Sequence, residues 1–345
     1  MKLGNISIKD LMEHYNVTGL GLALIENGQL SVVENYGLNK MGTFNFVKSD
    51  SIFNACSISK FLTGMLVMIL TEQGILELDE NINKKLRSWR IPVNKFTLHN
   101  KITLRHLLSH QSGVVDPDDS FYELDSTDPI PSIVELLKGK TSYCKAPIEV
   151  SFEPGSEFQY SDAGFCIIQQ LIQDATGKTF EVLANELLFK PLKMENSLFP
   201  KLISELTMKN FSYGHNKKGQ LIDGIYAIYP YPAASGLWTT PTDLAKLVIE
   251  LISSLKGKSK IGLSKMKAKE MISPQGCKDW TGLGVFLDGV DKELEISSLG
   301  WGVGFQSMMV ACPYQETGLV IMTNTDLEVH QLKGIIGEIY NSLTS

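Results

Sequence analysis

Apolar positions recur at two spacings along this chain, and the change of spacing marks where strands give way to helices. Residues 19–37 carry apolar stretches on either side of Glu26-Asn27-Gly28, which predicts a β-hairpin, Leu20–Ile25 and Leu30–Tyr36, turned by Asn27-Gly28. The run Phe61 to Leu70 is apolar almost throughout, so a buried helix over 57–73 is expected, ended by Gly74. Residues 75–215 read as loop-rich with helical segments at Ile102–Ser109 and Gly164–Thr176, the second closed by Gly177. Thr240-Pro241-Thr242-Asp243 supplies a cap, a first-position proline and a first-turn acid for another helix. Beyond residue 281 the spacing changes to strands, at Gly282–Leu287, Leu294–Leu299, Phe305–Ala311 and Gly318–Asn324. An amphipathic helix over 329–342 ends the series.

Strands at both ends with helices between them predict a mixed α/β (α+β) fold. Its antiparallel sheet is built from both termini, flanked by helices, with a mostly helical region inserted. The expected division is 1–55 plus 220–345 for the sheet region and 56–219 for the helical region, within one unit spanning 1–345.

Composition narrows the function classes. The 345 residues are 43% hydrophobic, enough for a sizeable core. A net charge of −6 and the lack of any basic run interleaved with aromatics argue against a nucleic-acid partner. The longest apolar run is too short to span a bilayer. Residues 1–10 show no apolar core followed by a small-residue cleavage site, so no signal peptide is expected. The five cysteines, Cys56, Cys144, Cys166, Cys277 and Cys312, are odd in number and form no Cys-x-x-Cys pair. Reduced thiols in a cytoplasmic protein are the simplest account. Nothing in the sequence speaks to oligomeric state.

The candidate chemistry sits at Ser57 and Lys60, at the mouth of the buried helix. Ser-x-x-Lys occurs four times, at Ser57/Lys60, Ser142/Lys145, Ser253/Lys256 and Ser264/Lys267, so the spacing alone decides nothing. Only the first opens a helix too apolar to be exposed. Positions three apart share a helix face, which brings Lys60 within reach of the Ser57 hydroxyl. Unpaired N–H groups and the positive end of the dipole at a helix start suit an oxyanion. Burial lowers a lysine's pKa toward the range of a base, and a drop of about 3 units corresponds to roughly 4 kcal/mol. The plainer reading is a serine cap with a lysine reaching back to water.

Two further segments complete a pattern. One is Phe152-Glu153-Pro154-Gly155 leading to Tyr160-Ser161-Asp162; the other is Ser298-Leu299-Gly300-Trp301-Gly302-Val303-Gly304-Phe305. With Ser57 and Lys60, these resemble the three motifs of the serine β-lactamase and penicillin-binding-protein superfamily. The resemblance is nearest to the class C β-lactamase-like branch, which includes esterases and D-amino-acid peptidases. Leu107-Leu108-Ser109-His110-Gln111-Ser112-Gly113, Pro191-Leu192-Lys193-Met194 and Ala234-Ser235-Gly236-Leu237 resemble further stretches of that branch in the same order.

The resemblance implies roles. Ser57 attacks a carbonyl carbon and is acylated. Tyr160 acts with Lys60 as general base and later protonates the leaving group. The Ser57 N–H and one from the third segment hold the oxyanion; the aligned donor is Trp301, or Val303 if the register shifts by two. Asp162, Ser298, Gly300 and Trp301 face the substrate. No cofactor and no metal are implied.

Two departures redirect the specificity. Asp162 stands where the family has an amide donor; an ionised carboxylate cannot donate, and it favours Lys60 as a cation. Ser298 and Leu299 stand where the family places a cation and a small residue, so nothing there binds a substrate carboxylate. The expected substrate is therefore a small uncharged carboxylic ester or amide. The alternatives are a catalytically weak or inactive binding protein on the same scaffold, or a penicillin-binding protein or β-lactamase. No Gly-x-Ser-x-Gly supports an α/β-hydrolase. His106 and His110 lack the glutamate and third ligand of a zinc motif. Gly300-x-Gly302-x-Gly304 lacks the full dinucleotide pattern. Asp116-Pro117-Asp118-Asp119 fails the EF-hand spacing and reads as a solvated loop.

Overall fold

A computed structural model describes residues 6–125, 128, 130–202, 210–222 and 227–344. The strands are β1 (Gly19–Glu26), β2 (Gln29–Gly37), β3 (Phe53–Asn54), β4 (Trp238–Thr239), β5 (Phe286–Asp288), β6 (Glu295–Gly302), β7 (Phe305–Cys312) and β8 (Thr317–Thr323). The helices that position the site are α1 (Ile8–Tyr15), α2 (Ser59–Glu72), α3 (Leu104–Leu108), α4 (Asp162–Thr176), α5 (Pro241–Leu255) and α6 (Ile335–Thr344).

Six strands form one antiparallel sheet in the order β2-β1-β8-β7-β6-β5, so the chain's two ends meet at the β1–β8 pair. The β1–β2 turn falls at Asn27 and Gly28, both at positive φ (52° and 68°), as a tight hairpin turn requires. Both faces of the sheet are covered, and side chains alternate between them. Leu20, Leu22 and Leu24 of β1, Met308 and Val310 of β7, and Leu319 and Ile321 of β8 form a small core with α1 and α6. Ala23, Ile25, Met309, Ala311, Val320 and Met322 join the large core that holds α2, α4 and α5. Strand β1 is small on that second face: a Cβ added at Gly21 would stand 3.0 Å from the Pro241 ring, which lets α5 pack closely.

Helix α5 begins as its sequence predicts, with the Thr240 side chain accepting from the Asp243 N–H. Helix α4 begins at Asp162 and ends at Gly177, in the left-handed conformation at φ 71°. Three elements are shorter than their patterns predict: helix α3 keeps Leu104–Leu108 of the expected Ile102–Ser109, and a strand and the last helix are also cut. Strand β5 runs over Phe286–Asp288 and so keeps only Phe286 and Leu287 of the expected Gly282–Leu287, because Gly284 takes φ 81° and the Gly282 N–H turns back onto the Val285 carbonyl. The last helix starts at Ile335, preceded by a single turn at Gln331–Lys333. Residues 114–150 and 201–235 match no specificity pattern in the sequence and are expected to line the cleft; of these, residues 126, 127, 129, 203–209 and 223–226 lie outside the described residues. None of the described helices is long and apolar enough to cross a membrane.

Candidate active site

From Ser51 to Thr71 every residue is buried except Ser57. The chain leaves β3, makes a one-turn 3-10 helix over Cys56–Ile58 and continues directly into α2. Cys56, just before the serine, sits in the left-handed region at φ 47°, unusual for a residue with a side chain. Its N–H is held by the Asn54 side-chain oxygen at 2.9 Å, and the Asn54 amide donates to the Ala227 carbonyl. Backbone strain kept in place by surrounding bonds is a mark of functional turns.

Lys60 lies one turn on, its side chain only 4% exposed. The ammonium donates to Ser57 Oγ at 3.2 Å, to the Ala234 carbonyl at 2.9 Å and to Asp162 Oδ1 at 2.5 Å. Burial disfavours its charge, but Asp162 and Tyr160 outweigh burial and raise its pKa. The Ala234–Leu237 stretch is fixed along the start of α2. Thr63 donates to the Ala233 carbonyl, Ser59 accepts from the Leu237 N–H, and the Ala55 N–H donates to the Leu237 carbonyl.

Tyr160 stands just before α4. Its ring lies 4.8 Å from the Lys60 nitrogen and stacks on His110 at 4.4 Å. Burial raises the phenol's pKa; Lys60 lowers it, Asp162 raises it, and hydrogen bonds with Lys60 and Ser57 lower it, leaving it raised. His110 accepts from the Ser161 N–H at 3.1 Å, and burial holds its pKa well below the ordinary value, so the ring is neutral. Asp116, expected in a solvated loop, instead ties down the start of α4. It accepts from Ser161 Oγ at 2.7 Å and from the N–H groups of Asp162 (2.8 Å) and Ala163 (2.9 Å).

The third segment forms the end of β6. Strand β5 pairs with Glu295–Ser297 only, which leaves Ser298–Gly302 as an open edge beside Ser57. Gly300 has to be glycine: a Cβ there would lie 2.2 Å from both the Ala55 carbonyl and Ser307 Oγ. Its carbonyl accepts from the Gln331 amide at 2.8 Å. Ser298 is buried in the cleft, and Trp301 is 45% exposed at its rim with the indole N–H on Asp326 at 2.9 Å. The Val303 N–H is taken by the Tyr229 hydroxyl at 3.0 Å.

The structure therefore brings Ser57, Lys60, Tyr160, Asp162, Ser298, Gly300 and Trp301 to one place. The cavity there is narrow, about 20 Å³, and is lined by Ser57, Lys60, Tyr160 and Ser298 together with Leu108, His110, Gly284 and Phe286. Lys60 is the only positive charge among the described residues that line it. The other three Ser-x-x-Lys spacings do ordinary work. Ser142 donates to Asp128, Lys256 pairs with Glu316, and Ser264 caps the helix that holds Lys267. Asp116, His110, Asn54, Tyr229 and Gln331 escaped attention as site residues in the sequence. Of these, His110 lay in a stretch singled out for its family likeness, and Asp116 in one read as a solvated loop. No group of three or more His, Cys, Asp or Glu among the described residues could hold a metal ion.

A sheet built from both termini and covered by helices, with Ser57 beside its open edge, defines a β-lactamase-type fold. The Beta-lactamase family model matches residues 7–335, and the chain belongs to that family. Similar structures share the fold. A penicillin-binding protein from Bacillus halodurans superposes with a TM-score of 0.73 at 19% identity, covering 99% of both chains. An octameric penicillin-binding protein homologue from Pyrococcus abyssi reaches 0.76 at 20%, covering 97% of this chain and 75% of its own. Among curated relatives, Protein flp of Staphylococcus aureus (strain MW2) is 23% identical over 91% of this chain and 61% of its own length. Penicillin-binding protein 4* of Bacillus subtilis (strain 168) is 26% identical over 59% of this chain and 43% of its own. The chain thus spans less than two thirds of either relative. Family membership supports chemistry of the acyl-serine hydrolase type.

Proposed function

We propose that this chain is a serine hydrolase that cleaves a small carboxylic ester or amide through an acyl-enzyme on Ser57. The observation that carries the reading is the Lys60–Ser57 contact at the only opening in an otherwise buried segment. Ser57 Oγ attacks the carbonyl carbon, and its proton leaves through the Lys60–Tyr160 side of the cleft. The N–H groups of Ser57 and Trp301 hold the oxyanion; Val303 is the poorer candidate because its N–H is already bonded. The leaving group departs protonated, and water releases the acyl group.

Three features favour a small, uncharged substrate. The cavity is narrow. Lys60 is committed to Asp162. Ser298 offers no cation to a substrate carboxylate. Penicillins carry that carboxylate, so slow or absent acylation by penicillin belongs to the same reading. Sheet and helical regions both supply site residues, so the proposal treats the chain as one catalytic unit, acting in the cytoplasm. The test is turnover of 4-nitrophenyl acetate and butyrate by the wild type and by Ser57→Ala. Turnover lost in Ser57→Ala supports the reading; equal rates, or none in a folded wild type, overturn it.

A further inference from the structure

Helix α4 carries two buried glutamines, Gln169 and Gln170, each 4% exposed, on the wall of a cavity of about 240 Å³. A side-chain amide has one acceptor oxygen and two N–H donors, and its neighbours decide which end points where. Gln169 Oε1 accepts from the Ala233 N–H at 3.2 Å, which turns its Nε2 the other way. Gln170 Nε2 donates to Asp174 Oδ1 at 3.0 Å, which leaves its Oε1 on the opposite side. Neither Gln169 Nε2 nor Gln170 Oε1 has a partner among the described residues, and neither is sealed from open space. Buried polar groups in folded chains are nearly always bonded, so an unused donor and an unused acceptor on one cavity wall call for a ligand that satisfies both.

The rest of the wall is apolar or already satisfied. Ile130, Ile133, Val134, Phe199 and four prolines supply the apolar surface. Ser132 Oγ and Thr179 Oγ1 accept from backbone N–H groups at helix starts. Among the described residues that line the cavity, the only charges are Glu181 and Lys201, which pair with each other at 3.1 Å. A charged ligand would be desolvated there without a counter-ion of its own.

We propose that this cavity is a second binding site, for a small neutral molecule that carries a carboxamide on an apolar body. Gln169 Nε2 donates to the ligand's carbonyl oxygen, Gln170 Oε1 accepts from its N–H, and Phe199 and the prolines cover the rest. The volume suits about 10 non-hydrogen atoms. The site is separate from the Ser57 cleft but stands directly behind it. Tyr229 lines this cavity, and its hydroxyl accepts from the Val303 N–H at 3.0 Å on the cleft side. Gln169 holds the N–H of Ala233, the residue before the one whose carbonyl accepts from Lys60.

The test is titration of cyclohexanecarboxamide into protein with labelled Ile and Val methyl groups, followed by NMR. Ser57→Ala is run beside the wild type, so that turnover of the amide does not interfere. Millimolar binding is expected in both, with shifts led by Ile130, Ile133 and Val134. Cyclohexanecarboxylate has the same shape but a charge and no donor, and should bind at least about 10-fold more weakly. Gln170→Leu removes the acceptor and should weaken the carboxamide about 5-fold. Val134→Trp fills the cavity and should abolish the shifts at Ile130 and Ile133. Equal or tighter binding of the carboxylate overturns the proposal, and that comparison needs no variant to fold. Shifts led instead by Val285, which lines the Ser57 cleft, would put the amide in that cleft and overturn the second site. A folded wild type with no shift at tens of millimolar carboxamide overturns it as well.

Discussion

The cleft has two unlike walls. The helical wall, made by the start of α2 and the approach to α4, is buried, charged and over-determined: Lys60 has three acceptors, Asp116 three donors, and Cys56 is held at positive φ. The sheet wall, made by the free end of β6, is neutral and closes on the serine through backbone at Gly300, with an exposed indole at its rim. In the proposed reading the first wall carries the bond-making, and the second presents no charge to an anionic substrate. That reading puts chemistry and recognition on different elements, so that one should change while the other stays.

Four changes test that separation, in order of expected effect. Lys60→Met should lower kcat by about 10³-fold, because nucleophile and proton path fail together. It should also cost about 3 kcal/mol of stability by leaving Asp162 facing an apolar side chain. Ester turnover and denaturant melts check both. Gly300→Ala places a methyl group 2.2 Å from the Ala55 carbonyl. A loss of about 1–3 kcal/mol and about 10-fold in kcat/KM is expected, since β6 must move away from Ser57. Little change in either would mean that the sheet wall is not fitted closely to the serine.

Ser298→Lys adds the missing cation. The account expects KM for a carboxylate-bearing ester such as a succinate half-ester to fall about 10-fold, worth about 1.4 kcal/mol, with an uncharged ester unaffected. An equal change for both esters would break the assignment of recognition to this wall. The smallest effect concerns acid. Burial lowers the pKa of His110, on the helical wall, and of His215, elsewhere in the core. Below the ordinary histidine pKa the unfolded chain takes up protons that the folded one refuses, so stability is full above about pH 6.5 and falls as pH drops below it. Melting temperature should be a few degrees lower at pH 5.5 than at pH 7.5. An unchanged or higher value would contradict the neutral, buried state of these rings.

The local parts of this arrangement were legible in the sequence, and the long-range parts were not. The Asn27-Gly28 hairpin, the Thr240 cap and the Gly177 stop follow from residue chemistry within a few positions, and all three are present. The apolar run after Ser57 marked the one Ser-x-x-Lys spacing that opens a buried helix. Patterning overstated the strand at Gly282–Leu287, because alternation of apolar residues does not register a turn made by two glycines. Asp116 looked like part of an exposed acidic loop; only the fold brings it to the N-terminus of α4, 46 residues away. The Tyr229–Val303 and Gln331–Gly300 bonds likewise join segments that no local pattern links.

The most direct measurement is intact-protein mass after exposure to a small fluorophosphonate, with peptide mapping of any adduct. The account expects a single adduct on Ser57, absent in Ser57→Ala. A folded wild type that takes no adduct, or takes one on another residue, would contradict the claim that Ser57 is an activated nucleophile.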